Sequence, residues 1–203
     1  MGQMFTVGIA GGSASGKSTF AAVLAQALEQ EDAPLSAEIL PMDRYFYRGA
    51  PGGPRMISPS SGKEIPDNNH PDSADNARII ADICARRQSE NAADVLIVEG
   101  LMALHVQALR DCLDLRVFIE LDADERALRR LLRDVSGQRG SSDPVAIARY
   151  YCECARVGHA KYVEPSRAHA DLILRGDGDF ERSASMVAAI VRERLRKSAS
   201  LRP

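Results

Sequence analysis

Short, almost continuously apolar runs alternate along this chain with segments whose apolar residues recur every three or four positions. FTVGIA is followed by a helical pattern from about Lys17 to Gln30, and then by AEILPM. A stretch rich in Pro, Gly and Ser leads to a helix beginning near Ser73 and the run DVLIVEG. A helix near Ala103 to Cys112, the run LRVFIEL and an Arg-rich helix from about Ala123 to Val135 come next. Two more helical stretches flank a last run, ADLILRG. Strands that are apolar throughout are those buried on both faces, so the pattern predicts an α/β three-layer sandwich on a five-stranded parallel sheet. In such a fold the ligand site lies outside the carboxyl ends of the strands. Gly49 to Asn69 reads as the one long irregular connection, a type of loop that usually serves function. No internal repeat is present, and residues 1–203 read as a single domain.

Between the first strand and the first helix lies GGSASGKS, which satisfies G-x-x-x-x-G-K followed by Ser or Thr. Small residues at Gly11, Gly12, Ser13, Ala14, Ser15 and Gly16 let successive backbone N–H groups turn inward around a phosphate. The helix N-terminus, from Lys17 through Ser18 and Thr19, adds the positive end of its dipole. Lys17 then reaches the β- and γ-phosphates of ATP, and the Ser18 hydroxyl ligates Mg²⁺. The bland alternative, a glycine-rich turn, does not require the lysine.

Carboxylates complete such a site when they end strands beside the phosphate loop, and two do so here. Asp43 in PMDRYFYR is placed to accept a proton from an attacking hydroxyl, and Glu99 ends DVLIVEG where an acidic residue binds Mg²⁺. Either could instead cap a helix. Composition narrows the partners: 26 basic and 28 acidic residues nearly cancel, so no overall field draws the chain to nucleic acid or to a membrane. Cys84, Cys112, Cys152 and Cys154 are scattered without a CxxC pair, as in the reduced thiols of a cytoplasmic protein. Cys152, Cys154 and His159 match no common metal-site spacing. FTVGIA runs straight into glycines, which suits a strand and not a signal peptide. MGQMFT matches the loose myristoylation pattern, but the strand starts too soon after it for an anchor to be expected.

Together these residues resemble the uridine/cytidine kinase family, in the group that includes phosphoribulokinase. The likeness covers most of the chain. GGSASGKS is similar to that family's phosphate loop, and MDRYFYR to its segment carrying the catalytic base. NHPDSAD resembles its D-H-P-D-A-F-D segment, VLIVEGLMAL its strand end with Glu-Gly, and LRDVSGQRG its lid. KYVEPSRAHADLIL resembles the approach to its last strand. The resemblance implies ATP-dependent transfer to a hydroxyl of a nucleoside or nucleoside-like small molecule. Asp43 would be the base and Ser18, Asp43 and Glu99 would surround Mg²⁺. Tyr45, Asn69, His70, Asp72 and Arg130 would serve the acceptor, within an acceptor loop of about 44–72. Arg133 and Arg139 would act from a lid of about 133–160.

Three departures stand out. Asn69 replaces the aspartate that holds the sugar hydroxyls in the family, so a charge-assisted hydrogen bond becomes a neutral one, and Asn69→Asp is expected to improve nucleoside turnover. The lid is one residue longer, with Ser141 where a basic residue commonly follows. Only about nineteen residues separate Asp75 from Val95, mostly helical, which leaves no room for the hairpin that reads the base in the family.

In the Arg-rich helix, Arg126, Arg130 and Arg133 fall at i, i+4 and i+7, with Arg129 beside them. Such groups can clamp phosphates, but Arg126 and Arg129 read better as a solvated face paired with Asp124, Glu125 and Asp134, and Leu128, Leu131 and Leu132 as core. A guanine-reading N-K-x-D is absent, which disfavours a nucleotide switch. Sugar phosphates, vitamin precursors and hydroxy acids compete with nucleosides as acceptors, since Tyr45, Tyr47, Arg55 and Lys63 suit several chemistries. Assembly into a homo-oligomer stays open.

Overall fold

The computed structural model describes residues 4–30, 33–137 and 142–200. Five strands form one parallel sheet: β1 (Phe5–Gly11), β2 (Ala37–Pro41), β5 (Val95–Glu99), β6 (Leu115–Glu120) and β7 (Leu172–Arg175), in the order β2-β5-β1-β6-β7. Alternation along each strand sorts side chains into two cores. Val7, Ile9, Ile97, Val117 and Ile119 face Phe20, Leu24 and Leu28 of α1 (Lys17–Glu29) and Ala184, Val187 and Val191 of α8 (Phe180–Ser200). Ala10, Leu40, Leu96, Val98 and Phe118 face the other way, toward Ile79 and Ile83 of α2 (Asn76–Gln88) and Leu109 of α3 (Gln107–Arg110). The apolar side chains of β5, β1 and β6 are buried on both faces, as the apolar runs require, whereas edge strand β7 leaves Ile173 44% exposed.

Register does the positioning. Ile9 and Pro41 both pair with Glu99, so β1, β5 and β2 end side by side. The phosphate loop leaves β1, Glu99 ends β5, and Asp43 lies two residues beyond β2 in a 3₁₀ turn, Met42–Tyr45. Three segments distant in sequence thereby meet at the carboxyl ends of neighbouring strands.

Two expectations need correction. The stretch Gly49 to Asn69 is not irregular throughout: β3 (Arg55–Ile57) and β4 (Glu64–Pro66) pair antiparallel as a small hairpin. Strands of three residues carry too short a pattern to be read, and side chains elsewhere hold this pair. Ser58 Oγ donates to Glu153 Oε2 at 2.7 Å, and Cys154 Sγ packs 3.2 Å from Met56 Sδ. Glu153 and Cys154 belong to a helical stretch that opens with α5 (Pro144–Tyr150), where Asp143 accepts the Val145 N–H as a cap. It continues through π turns at Tyr151–Ala155 and His159–Val163, separated by α6 (Arg156–Gly158), to α7 (Glu164–Ser166).

The second correction concerns α4 (Ala123–Val135), whose orientation is the reverse of the apolar-in rule. Leu128 and Leu132 are 62% and 74% exposed, Leu131 is half-buried, and Arg126 and Asp134 are buried. The charged face turns inward because the phosphate loop, not the apolar core, lies beneath it.

Candidate active site

α1 begins without a side-chain cap. Gly16 holds a left-handed φ of 99°, a conformation other residues resist, and a Cβ there would strike the Phe180 ring at 2.8 Å. The orphan N–H groups of the first turn are left for an anion, whereas α2 satisfies its own through Asp75, which accepts from Arg78 N–H. Lys17 is buried and donates from Nζ to Gly12 O at 2.7 Å, inside its own loop.

Outside this loop opens a cavity of about 470 Å³, lined by Ser13, Ala14, Gly16, Lys17, Ser18, Thr19, Asp43, Glu99, Leu101, Arg129 and Arg133. Ser18 Oγ donates to Glu99 Oε1 at 3.0 Å, and Asp43 shares the same wall. A hydroxyl and two carboxylates beside a phosphate cradle are hard oxygen donors of the kind Mg²⁺ takes alongside a nucleotide. Among the described residues no group of three or more His, Cys, Asp or Glu side chains could hold a metal unaided. Cys154 packs on the hairpin instead of gathering with Cys152 and His159.

The arginines divide by environment. Arg133 lines the cavity and is held by Asp134, with Nη2 2.8 Å from Oδ1. Arg130 Nη1 reaches Ser13 Oγ at 3.4 Å, its Nε lies 3.4 Å from Asp134 Oδ2, and its guanidinium sits 5.5 Å from the Tyr150 ring centroid. Arg129, expected on a solvated face, also lines the cavity and donates to Gly176 O at 2.9 Å. Arg126 is no surface charge either: it donates from Nε to Leu121 O at 2.9 Å, and its Nη1 lies 2.7 Å from where a Cβ on Gly12 would stand. Arg139 lies outside the described residues.

The acceptor-side residues are less accessible than the sequence suggests. Tyr45 turns toward α2, where its hydroxyl donates to Asp82 Oδ2 at 2.6 Å; burial and then Asp82 push its pKa up to about 12. His70 Nδ1 accepts the Asp72 N–H at 3.1 Å, and its ring meets Tyr162 edge-on, while the Asp72 carboxylate is exposed. Asn69 is buried, with its Nδ2 donating to Tyr150 Oη at 3.3 Å. That phenol also accepts from Asn68 N–H at 3.2 Å and donates to Pro66 O at 3.4 Å. Asn69 thus gives the phenol a second donor; an aspartate there would be a buried carboxylate that could meet the phenol only by taking its O–H from Pro66 O. Gly158 packs so close to Asn69 that a Cβ would stand 2.7 Å from the Asn69 carbonyl oxygen. Tyr150 and the Gly158–His159 turn carried no motif that marked them in the sequence. Among the described residues no helix is long and apolar enough to cross a membrane.

Comparison with known proteins places this geometry. A family model described as the phosphoribulokinase/uridine kinase family matches residues 61–179. A uridine kinase of Chlamydia pneumoniae is 30% identical, covering 86% of this chain and 82% of its own. One from Lactobacillus johnsonii is also 30% identical, covering 93% of this chain and 94% of its own. Among solved structures, one described as a fructose transport system kinase from Silicibacter sp. TM1040 superposes with a TM-score of 0.62 at 22% identity, over 84% of this chain and 89% of that one. A gluconokinase from Sinorhizobium meliloti 1021 gives 0.52 at 16%, over 98% and 99%. At those identities the two structures speak for the fold alone.

Proposed function

The chain belongs to the phosphoribulokinase/uridine kinase family, and on that premise we propose that it transfers the γ-phosphoryl group of ATP to a hydroxyl of a nucleoside or nucleoside-like acceptor. The observation that carries this reading is the convergence of Lys17, Ser18, Asp43 and Glu99 on one cavity. Lys17 leaves Gly12 O for the β- and γ-phosphates, which offer a stronger acceptor. Asp43 takes the proton of the attacking hydroxyl and holds it in line. Arg133 stabilises the charge that spreads over the equatorial oxygens, and Arg130 orders the acceptor side. Mg²⁺, held by Ser18, Glu99 and Asp43, would neutralise phosphate charge.

A second reading keeps the chemistry and replaces the nucleoside with a sugar phosphate, vitamin precursor or hydroxy acid. The commitment of Asn69 to Tyr150 favours it, because residue 69 offers no carboxylate to a ribose diol. A coupled ADP-release screen over uridine, cytidine, sugar phosphates, D-gluconate and pantothenate separates the two. Turnover of uridine and cytidine within roughly tenfold of each other fits the first, as for a site that selects by shape. Turnover confined to the other compounds fits the second, and ADP release indifferent to all of them sinks both.

A further inference from the structure

Phosphoryl transfer, as described, does not use Tyr150, yet this residue stands between the acceptor loop and the phosphate loop. It ends α5, where the helix widens into the π turn Tyr151–Ala155, an irregularity frequent at functional sites. The tip of its side chain gathers three groups of the acceptor loop. Oη accepts from Asn68 N–H at 3.2 Å and from Asn69 Nδ2 at 3.3 Å, and donates to Pro66 O at 3.4 Å. A phenol has one proton and two lone pairs to offer, so these bonds use all of them. On the face of its ring lies Arg130, with the guanidinium carbon 5.5 Å from the centroid.

From Arg130 two routes lead to the cavity. Nη1 reaches Ser13 Oγ in the phosphate loop at 3.4 Å. Nε lies 3.4 Å from Asp134 Oδ2, and the other oxygen of that carboxylate holds Nη2 of Arg133, a cavity-lining residue, at 2.8 Å. The Arg130 and Asp134 side chains are only 15% and 7% exposed, so salt screens their contact little. Ser13 Oγ is a neutral acceptor at long range, whereas a nucleotide phosphate in the same loop is a charged one. The guanidinium is drawn toward it while Asp134 and the Tyr150 ring hold its other side. Resting on the reading of the cavity as an ATP site, we propose that Tyr150 is a positioning residue: its ring, through Arg130, responds to an occupied phosphate loop, and its hydroxyl fixes residues 66–69 for the acceptor. Nucleotide binding thereby orders the acceptor loop before the acceptor arrives.

Hydrogen exchange, followed by mass spectrometry of peptides covering residues 67–70, reads this coupling without need of the acceptor. The full chain is compared free and saturated with magnesium AMP-PNP, beside Tyr150→Phe and Arg130→Met. In the unaltered protein AMP-PNP should slow exchange in this segment about fivefold or more, the lower end of coupling between sites. Tyr150→Phe keeps the ring beneath Arg130 and loses the hydroxyl. Free, it should exchange about fivefold faster there, as for loss of one neutral hydrogen bond, and AMP-PNP should change that rate by less than about twofold. Arg130→Met keeps the hydroxyl bonds, so its free form should exchange like the unaltered protein and AMP-PNP should again slow it by less than about twofold. This second variant decides the matter if Tyr150→Phe does not fold. A hydroxyl that serves stability alone would quicken exchange in Tyr150→Phe and leave the AMP-PNP effect whole. That result, slowing retained in Arg130→Met, or no slowing in the unaltered protein overturns the role of Tyr150 and leaves the ATP site standing. Failure of AMP-PNP to bind the unaltered protein overturns both.

Discussion

Arg126→Ala tests whether the inverted helix α4 is built around the phosphate loop. Arg126 is 6% exposed, and its guanidinium donates to Leu121 O at 2.9 Å and packs on Gly12. Loss of a hydrogen bond to a charged group costs about 1.5–3 kcal/mol. The buried stem adds packing loss. A net loss of about 2–3 kcal/mol follows, which for a chain of this length lowers Tm by roughly 4–12 °C. Leu132→Ala supplies the contrast. The apolar pattern would assign that leucine to the core, where truncation costs about 2–5 kcal/mol, but at 74% exposed it should change stability by no more than about 0.5 kcal/mol. Both variants are compared by thermal unfolding followed by circular dichroism, with Arg126→Met to separate stem from charge. A stable Arg126→Ala beside a destabilised Leu132→Ala would refute the orientation of the helix.

Asn69→Asp should lower Tm and fail to improve uridine turnover, because it removes the donor to Tyr150 and buries a carboxylate; a gain in uridine kcat/KM would show that the phenol does not control this position. Arg133→Ala should lower kcat by more than it weakens ATP binding, since the arginine acts on charge that peaks in the transition state; equal losses in the two would make it a ground-state clamp. Timed alkylation with iodoacetamide, read by mass spectrometry of peptides, should label exposed Cys84 and Cys152 well before Cys154, whose thiol burial pushes up to about 11; early labelling of Cys154 would mean that the hairpin does not cover it.

What the sequence disclosed was whatever depends on local pattern. The apolar runs gave the sheet because parallel strands buried on both faces leave a one-dimensional signature. GGSASGKS gave the loop because its glycines and lysine serve one turn of backbone, and Asp43 and Glu99 were legible because strand ends beside that loop must meet. Relations set by distant packing were not legible. The β3–β4 hairpin rests on Glu153 and Cys154, almost a hundred residues away. The commitment of Asn69 follows from Tyr150, and the burial of Arg126 from Gly12 beneath it. In α4 the period of the leucines was right, yet period alone does not say which face turns inward.

The most direct test of phosphoryl transfer at this site is a single-turnover experiment with ATP labelled in the γ-phosphate, comparing the protein with Asp43→Asn over the same panel of hydroxyl acceptors. The label should appear on one acceptor's hydroxyl, and Asp43→Asn should slow that step by roughly 10²-fold or more while binding ATP about as well. Label released only as inorganic phosphate whatever the acceptor, or undiminished transfer by Asp43→Asn, would contradict the account.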